Sequence, residues 1–534
     1  MWSIKIDRNA AVFWTVFMVC YLALFALMYP SGAHTVYVRV FLTCYASIFA
    51  VVLILMFYRR FFGFDILDPI YFISFIYGLM FFVTPAYDIA IGNYLWFGYD
   101  VFGAGVRATI YAMIGYIVFA AVYSFGIRRV GKQTEKRMPI PAWEELGRSN
   151  VWLILVMFLF CFVSNMYYLT RNGSSWLYVL SLGVFGAGGQ AQKVAADLGF
   201  LAMFSYCLPA IVLLYWEYGK SKPVKWLMFA LMLVMQVARG FRFFVIQIFI
   251  TFLAYVFLRR NKRPNIWTLL GVVAVAIVPI MLMTLFRNAI RAGSVVDYAS
   301  AFKKGLKDAV DEVFWFNFRI YHNYHALVAK VPSRFGFVYG QQIIIGTAVM
   351  LIPRILWPNK ISSGAGEPIW VIVGNRLKGT GQALPNLGEF YYALGIAGII
   401  ICMAVYGLWM RYAKRRYLEG SSRPMDIIRF SIMLGVNLQI IIRGYTPSNF
   451  WYVIFSLLPV WIFDIVTHHA LAPGKRREML MEALNMKALS KRRKETGRRP
   501  SWQDNGDNNE SKEEETEQEQ LRGPGSGLEA QETR

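Results

Sequence analysis

Apolar runs of roughly 17–25 residues recur from one end of this chain to the other, and each is long enough to cross ~30 Å of hydrocarbon as a helix. They lie near 11–29, 36–58, 67–85, 104–127, 150–169, 198–217, 266–286, 388–410, 427–442 and 449–466. A further stretch, 226–258, has basic chain at both ends and Arg239-Gly240-Phe241-Arg242 at its middle. Two short spans joined in a tight hairpin satisfy that pattern. The alternative, one long tilted helix, sets two arginines at the span centre, at a cost of about 2.5–3.5 kcal/mol each. With the hairpin, the pattern predicts an all-α polytopic membrane protein of about twelve transmembrane helices. A large outer loop, about 287–387, precedes the tenth span.

Charge orients this pattern. Lys5 and Arg8, Arg59-Arg60, RRVGKQTEKR, EYGKSKPVK, RRNKRPN and RYAKRRYLEG fall in alternate loops, so the positive-inside rule places all of them, and both termini, in the cytoplasm. The chain has 534 residues, of which 57% are hydrophobic and 16% charged, too apolar for an ordinary soluble domain. Its net charge of +23 is absorbed by these loops and gives no reason to expect nucleic acid. The first apolar run has no small-residue cleavage site and is expected to remain as a span. Two outer pieces, VLSLGVFGAGG and IIIGTAVMLIP (343–353), are too short to cross and are expected at the interface or as re-entrant segments. The membrane domain is expected over 1–470. A basic amphipathic segment follows over 471–500, with Leu480, Met481, Leu484 and Ala488 at helical spacing, suited to an anionic inner leaflet. Residues 501–534 form an acidic tail of disordered composition.

Candidate chemistry is sparse. The five cysteines (Cys20, Cys44, Cys161, Cys207, Cys402) all lie inside apolar runs and read as small buried hydrophobes. His322 and His325 could share a helix face, but no third ligand is spaced with them, so a structural or surface pair is expected, with no metal. No P-loop occurs, which argues against an ATP-driven machine. What topology does not account for is an outer-side excess of arginine: Arg239, Arg242, Arg287, Arg291, Arg319, Arg354, Arg376 and Arg443. Guanidinium forks suit the oxygens of a diphosphate. Arg287, Arg291, Lys303 and Lys304 read as anchors to anionic lipid head groups. Arg239, Arg242, Arg354 and Arg443, each at the edge of an apolar segment, read as substrate ligands. Glu389 sits where polar chain meets lipid, either as a general base or as the partner that holds an arginine in place. Phe314, Trp315, Phe316, Tyr321, Tyr324 and Tyr339 could stack on sugar rings or form an interfacial belt.

Pro353-Arg354 with Trp357-Pro358-Asn359-Lys360, Pro385 before Gly388-Glu389, Arg239-Gly240 and Arg443-Gly444 together resemble the O-antigen polymerases, the Wzy-type oligosaccharide repeat-unit polymerases. The resemblance covers roughly 225–465. It implies a glycosyltransferase of the bacterial cytoplasmic (inner) membrane that joins undecaprenyl-diphosphate-linked repeat units on the periplasmic face. O-antigen, capsule or exopolysaccharide would be the product. It also implies that no cofactor, nucleotide sugar or metal is required, and that a chain-length regulator and a flippase of the same pathway are partners. On that footing Arg239, Arg242, Arg319 and Arg443 would hold the diphosphate, with Arg354 among the catalytic groups. Glu389 or His322 would take the acceptor proton. Two rivals remain at this stage: an O-antigen ligase, which shares the donor chemistry, and a transporter or flippase of the same lipid-linked sugar.

Overall fold

A computed structural model describes residues 35–125, 147–172, 200–238, 242–260, 318–352, 383–419 and 423–469, with 268, 271 and 357 singly. Residues 1–466 and 467–534 form two compact units. Nearly everything described belongs to the first.

The apolar runs form helices because a chain in lipid can satisfy its backbone donors and acceptors only within itself. In order these are α1 (Val36–Phe62), α2 (Pro69–Ala90), α3 (Gly105–Ser124), α4 (Val151–Asn172) and α5 (Phe200–Tyr218). Then come α6 (Lys222–Ala238), α7 (Arg242–Arg260), α8 (Tyr321–Lys330) and α9 (Gln341–Val349). The last three are α10 (Asn386–Glu419), α11 (Pro424–Ile442) and α12 (Thr446–His469). Among the described residues, eight helices are long and apolar enough to cross a membrane: α1 to α5 and α10 to α12. The expected spans at 11–29 and 266–286 lie outside the described residues.

One expectation is met and another is refined. The stretch 226–258 is two helices rather than one, and they run antiparallel: Phe229 packs on Phe252 with ring centroids 4.9 Å apart, and Leu233 packs beside Val245. Among the described residues the all-α reading gains one exception, a two-stranded ribbon β1 (Leu95–Trp96) and β2 (Tyr99–Asp100), paired antiparallel in the loop after α2. Its turn places Phe97 and Gly98 at positive φ, the geometry that suits the twist of a two-residue hairpin. The piece at 343–353 contributes α9, a nine-residue helix with Ile344 exposed, too short to span.

Loops assigned to the same side by charge meet in space. At one end Asp68 caps α2 through the Ile70 amide and accepts from Tyr58 and Tyr123, with Lys414 Nζ 3.5 Å away. Arg259 pairs with Glu217 at 2.8 Å at that end as well. At the other end gather the ribbon, α8, the start of α10 and the α11–α12 turn.

Helix α10 is broken about two turns below that second end. Leu394 and Gly395 leave helical geometry, Gly395 at φ 64 and ψ −143. The carbonyl of Tyr392, near the break, instead accepts the Val338 amide at 3.1 Å, and Tyr391 Oη donates to the Val331 carbonyl at 3.0 Å. The short leading piece, Asn386 to Ala393, is thereby tied to the chain between α8 and α9.

Candidate functional site

The leading piece of α10 begins with the polar-to-apolar junction singled out in the sequence, and Leu384-Pro385-Asn386 forms its approach. Gly444 N donates to the Leu384 carbonyl at 2.8 Å. A Cβ on Gly444 would fall 2.1 Å from both N and Cα of Asn386, so glycine is required for the two backbones to touch. This contact places the Arg443 turn directly against the start of α10. Arg443 is half-buried there, and its carbonyl accepts from Asn449 Nδ2 at 2.8 Å.

Glu389, 3% exposed, closes the same junction. Both carboxylate oxygens accept the Thr446 amide, and Oε2 also accepts the Thr446 hydroxyl at 2.6 Å. Thr446 opens α12, so the carboxylate sits on an unpaired helix N-terminus, where negative charge is favoured. In this fold Glu389 engages the backbone beside Arg443.

On the other flank of the junction, Asn323 of α8 donates to the Ala383 carbonyl at 2.8 Å and accepts from Trp96 Nε1 at 3.1 Å. Behind it lies a fully buried carboxylate, Asp88, in the last turn of α2. Arg319 grips Asp88 with Nε and Nη2, the shortest contact being 2.8 Å, while its own side chain stays 22% exposed. Tyr321 Oη donates to Asp88 Oδ2 at 2.9 Å, and Asn93 Nδ2 donates to Oδ1 at 3.3 Å. His322 Nε2 lies 3.3 Å from Oδ2, and the Trp96 ring covers the imidazole with centroids 4.9 Å apart. Neither ring nitrogen of His322 completes a hydrogen bond among the described residues. Burial lowers the His322 pKa, against the opposing pull of Asp88, and lowers that of His325 to about 3, so both rings are neutral near pH 7.

The sequence-assigned residues divide accordingly. Segment 383–389, which carries Glu389, is bonded both to α8, beside Arg319 and His322, and to the turn that carries Arg443. Arg239 and Arg354 lie outside the described residues. Arg242 opens α7, and its side chain lies outside them as well. Tyr321 and Tyr324 are neither sugar platforms nor interfacial residues: both are fully buried and hydrogen-bonded, to Asp88 and to the Ala108 carbonyl. The two histidines are buried, and no group of three metal-ligating side chains occurs among the described residues. Cys44, Cys161, Cys207 and Cys402 are free thiols, the first three buried. Asp88 is the residue that sequence reasoning passed over. Its signal was present, a single carboxylate at the end of an apolar run, in PAYDIAIG.

These features define a multi-pass helical membrane protein with arginines, carboxylates and a neutral histidine concentrated at one end of the bundle. Residues 10–468 match the family described as O-antigen polysaccharide polymerase Wzy, and the chain belongs to that family. It is therefore a membrane O-antigen polymerase in general class, acting on lipid-linked oligosaccharide repeat units. No curated protein and no solved structure matches the chain.

Proposed function

We propose that the chain polymerises repeat units carried on undecaprenyl diphosphate, on the periplasmic face of the bacterial inner membrane, without metal or cofactor. The observation that carries this reading is the linkage through segment 383–389, which joins the element bearing Arg319 and His322 to the turn bearing Arg443.

Arg319 and Arg443 hold the diphosphate of the growing chain, together with Arg239, Arg242 and Arg354. The acceptor hydroxyl attacks the anomeric carbon. A new glycosidic C–O bond forms, the bond from that carbon to the diphosphate oxygen breaks, and its electron pair leaves with the diphosphate. Charge develops on the leaving oxygens, where fixed guanidinium groups stabilise the transition state more than the ground state. The hydroxyl proton goes to neutral His322 at Nδ1, reached when the ribbon carrying Trp96 lifts away. Glu389 holds the Arg443 turn against α10. Lipid anchoring by Arg287, Arg291, Lys303 and Lys304 positions the chain at the head-group level.

The test is glycan length on cells lacking this chain and complemented with Arg443→Lys or Arg319→Lys, variants that keep the charge and lose the fork. Single repeat units attached to the acceptor, with the variant still in the membrane, are the expected result. Wild-type glycan lengths from both variants would remove these arginines from the mechanism. Complete absence of attached glycan on cells lacking the chain would point to the ligase reading instead.

A further inference from the structure

We propose that Asp88 is a positioning residue of the reaction site: it fixes both the guanidinium of Arg319 and the ring tautomer of His322. The inference rests on the function proposed above and adds a residue to it.

A carboxylate with no exposure is expensive unless it is fully hydrogen-bonded. Asp88 receives four side-chain donors: Arg319 Nε and Nη2, Tyr321 Oη and Asn93 Nδ2. The pairing with Arg319 is one-sided. Asp88 takes the Nε–Nη2 edge and leaves Nη1 with no hydrogen bond among the described residues, on a side chain 22% exposed. A guanidinium held along one edge presents the other in a fixed plane, the arrangement that a bidentate phosphate contact uses.

The same carboxylate faces His322. Nε2 lies 3.3 Å from Oδ2 without completing a hydrogen bond in this geometry, and the negative charge so close to it favours the tautomer with the proton on Nε2, which leaves Nδ1 as a lone-pair acceptor. One buried anion thus orients a phosphate ligand and a proton acceptor. It does so from α2, while both partners lie on or just before α8. Asn93 adds to this by closing the loop around Asp88, its amide donating to the Asp88 carbonyl at 2.8 Å.

Asp88→Asn separates positioning from mere support. The amide keeps one oxygen to accept from Arg319 and offers its nitrogen to Tyr321 Oη, so the packing survives. Two things change. The local charge becomes more positive, which favours diphosphate binding. The guanidinium loses its charged anchor, and an Nδ2–H facing His322 selects the opposite tautomer, with Nδ1 protonated.

The experiment uses the full chain, purified into lipid nanodiscs. Its probe is the undecaprenyl-diphosphate-linked repeat units that accumulate in cells lacking the chain. Asp88→Asn is expected to lower kcat by about a hundredfold or more, with KM at or below wild type and near-normal recovery of folded protein. Asp88→Glu, which keeps the charge but displaces it, is expected to restore little, and it serves as the readout should the asparagine variant fail to fold. Unchanged kcat per folded molecule, or a raised KM with kcat intact, overturns the role of Asp88 while leaving the polymerase reading in place. Failure of the wild-type chain to lengthen the probe overturns the polymerase reading itself, and this inference with it.

Discussion

The Glu389 carboxylate accepts the Thr446 amide through both oxygens, at 3.0 and 2.8 Å, and so ties the first turn of α10 to the first turn of α12. Two segments 57 residues apart are held by one buried carboxyl group, beside an arginine expected to bind substrate. Removing that carboxyl group leaves a helix N-terminus unsatisfied.

Glu389→Ala should therefore destabilise the protein by about 1–3 kcal/mol, through an orphaned amide and hydroxyl. Thermal unfolding in detergent reads this directly. Glu389→Gln should cost less, because one carbonyl oxygen still accepts. Glycan length should fall only as far as folded protein falls. A glutamine variant of normal stability that makes no polymer would mean that Glu389 itself takes the proton.

Gly444→Ala should be far more damaging than its size suggests. The added methyl group would meet the backbone of Asn386 at 2.1 Å, and backbone cannot move aside as a flexible side chain can. The Arg443 turn should separate from α10. We expect polymer to be lost together with the hydrogen bond from the residue 444 amide to the Leu384 carbonyl, measurable as faster amide exchange at position 444 than in the wild type. Arg443→Lys, by contrast, should leave that exchange unchanged.

Gly395→Ala tests the break in α10. At φ 64 and ψ −143 any side chain is strained, by about 1–3 kcal/mol, and Phe337 lies 3.1 Å from the new Cβ. The relief available is a straighter helix, which swings the Asn386 to Ala393 piece away from Val338. Loss of polymer with protein still inserted is the expected outcome, and the accessibility of a cysteine introduced at Val338 reports the movement.

The two buried histidines give acid sensitivity of a definite sign. Burial holds the folded pKa of His325 at about 3 against an ordinary value of 6.5, and it also lowers that of His322. Between those values the unfolded chain binds the extra proton, so stability is complete above about pH 6.5 and is lost as pH falls below it. The slope from one such group is at most about 1.4 kcal/mol per pH unit. Melting temperatures measured in detergent between about pH 7 and 5 should fall for the wild type and fall less for His325→Phe.

Much of the architecture could be read along the chain, because hydrocarbon imposes a length on each span and basic residues mark one side. The bounds of α1, α3, α4 and α11 lie within a few residues of the runs that predicted them, since nothing competes with the helix for backbone hydrogen bonds in lipid. The hairpin over 226–258 followed from the cost of burying two arginines. The Leu95–Asp100 ribbon did not, because its stability comes from tertiary neighbours, among them Tyr37 stacked on Tyr94 at 4.0 Å. Tyr321 and Tyr324 looked like surface aromatics for a similar reason. Their burial is set by what packs on α8, and nothing local records it.

The sequence by itself determined that this is a multi-pass helical protein, which loops share an end, and that Arg319, His322, Glu389 and Arg443 merit attention. Those properties depend on composition and on spacing along a single segment. Only the tertiary structure decided that Asp88 grips Arg319 and that Glu389 caps α12, because a buried charge finds its partner on whichever helix packs beside it. That choice follows from shape and from the high free-energy cost of leaving an anion unpaired away from water.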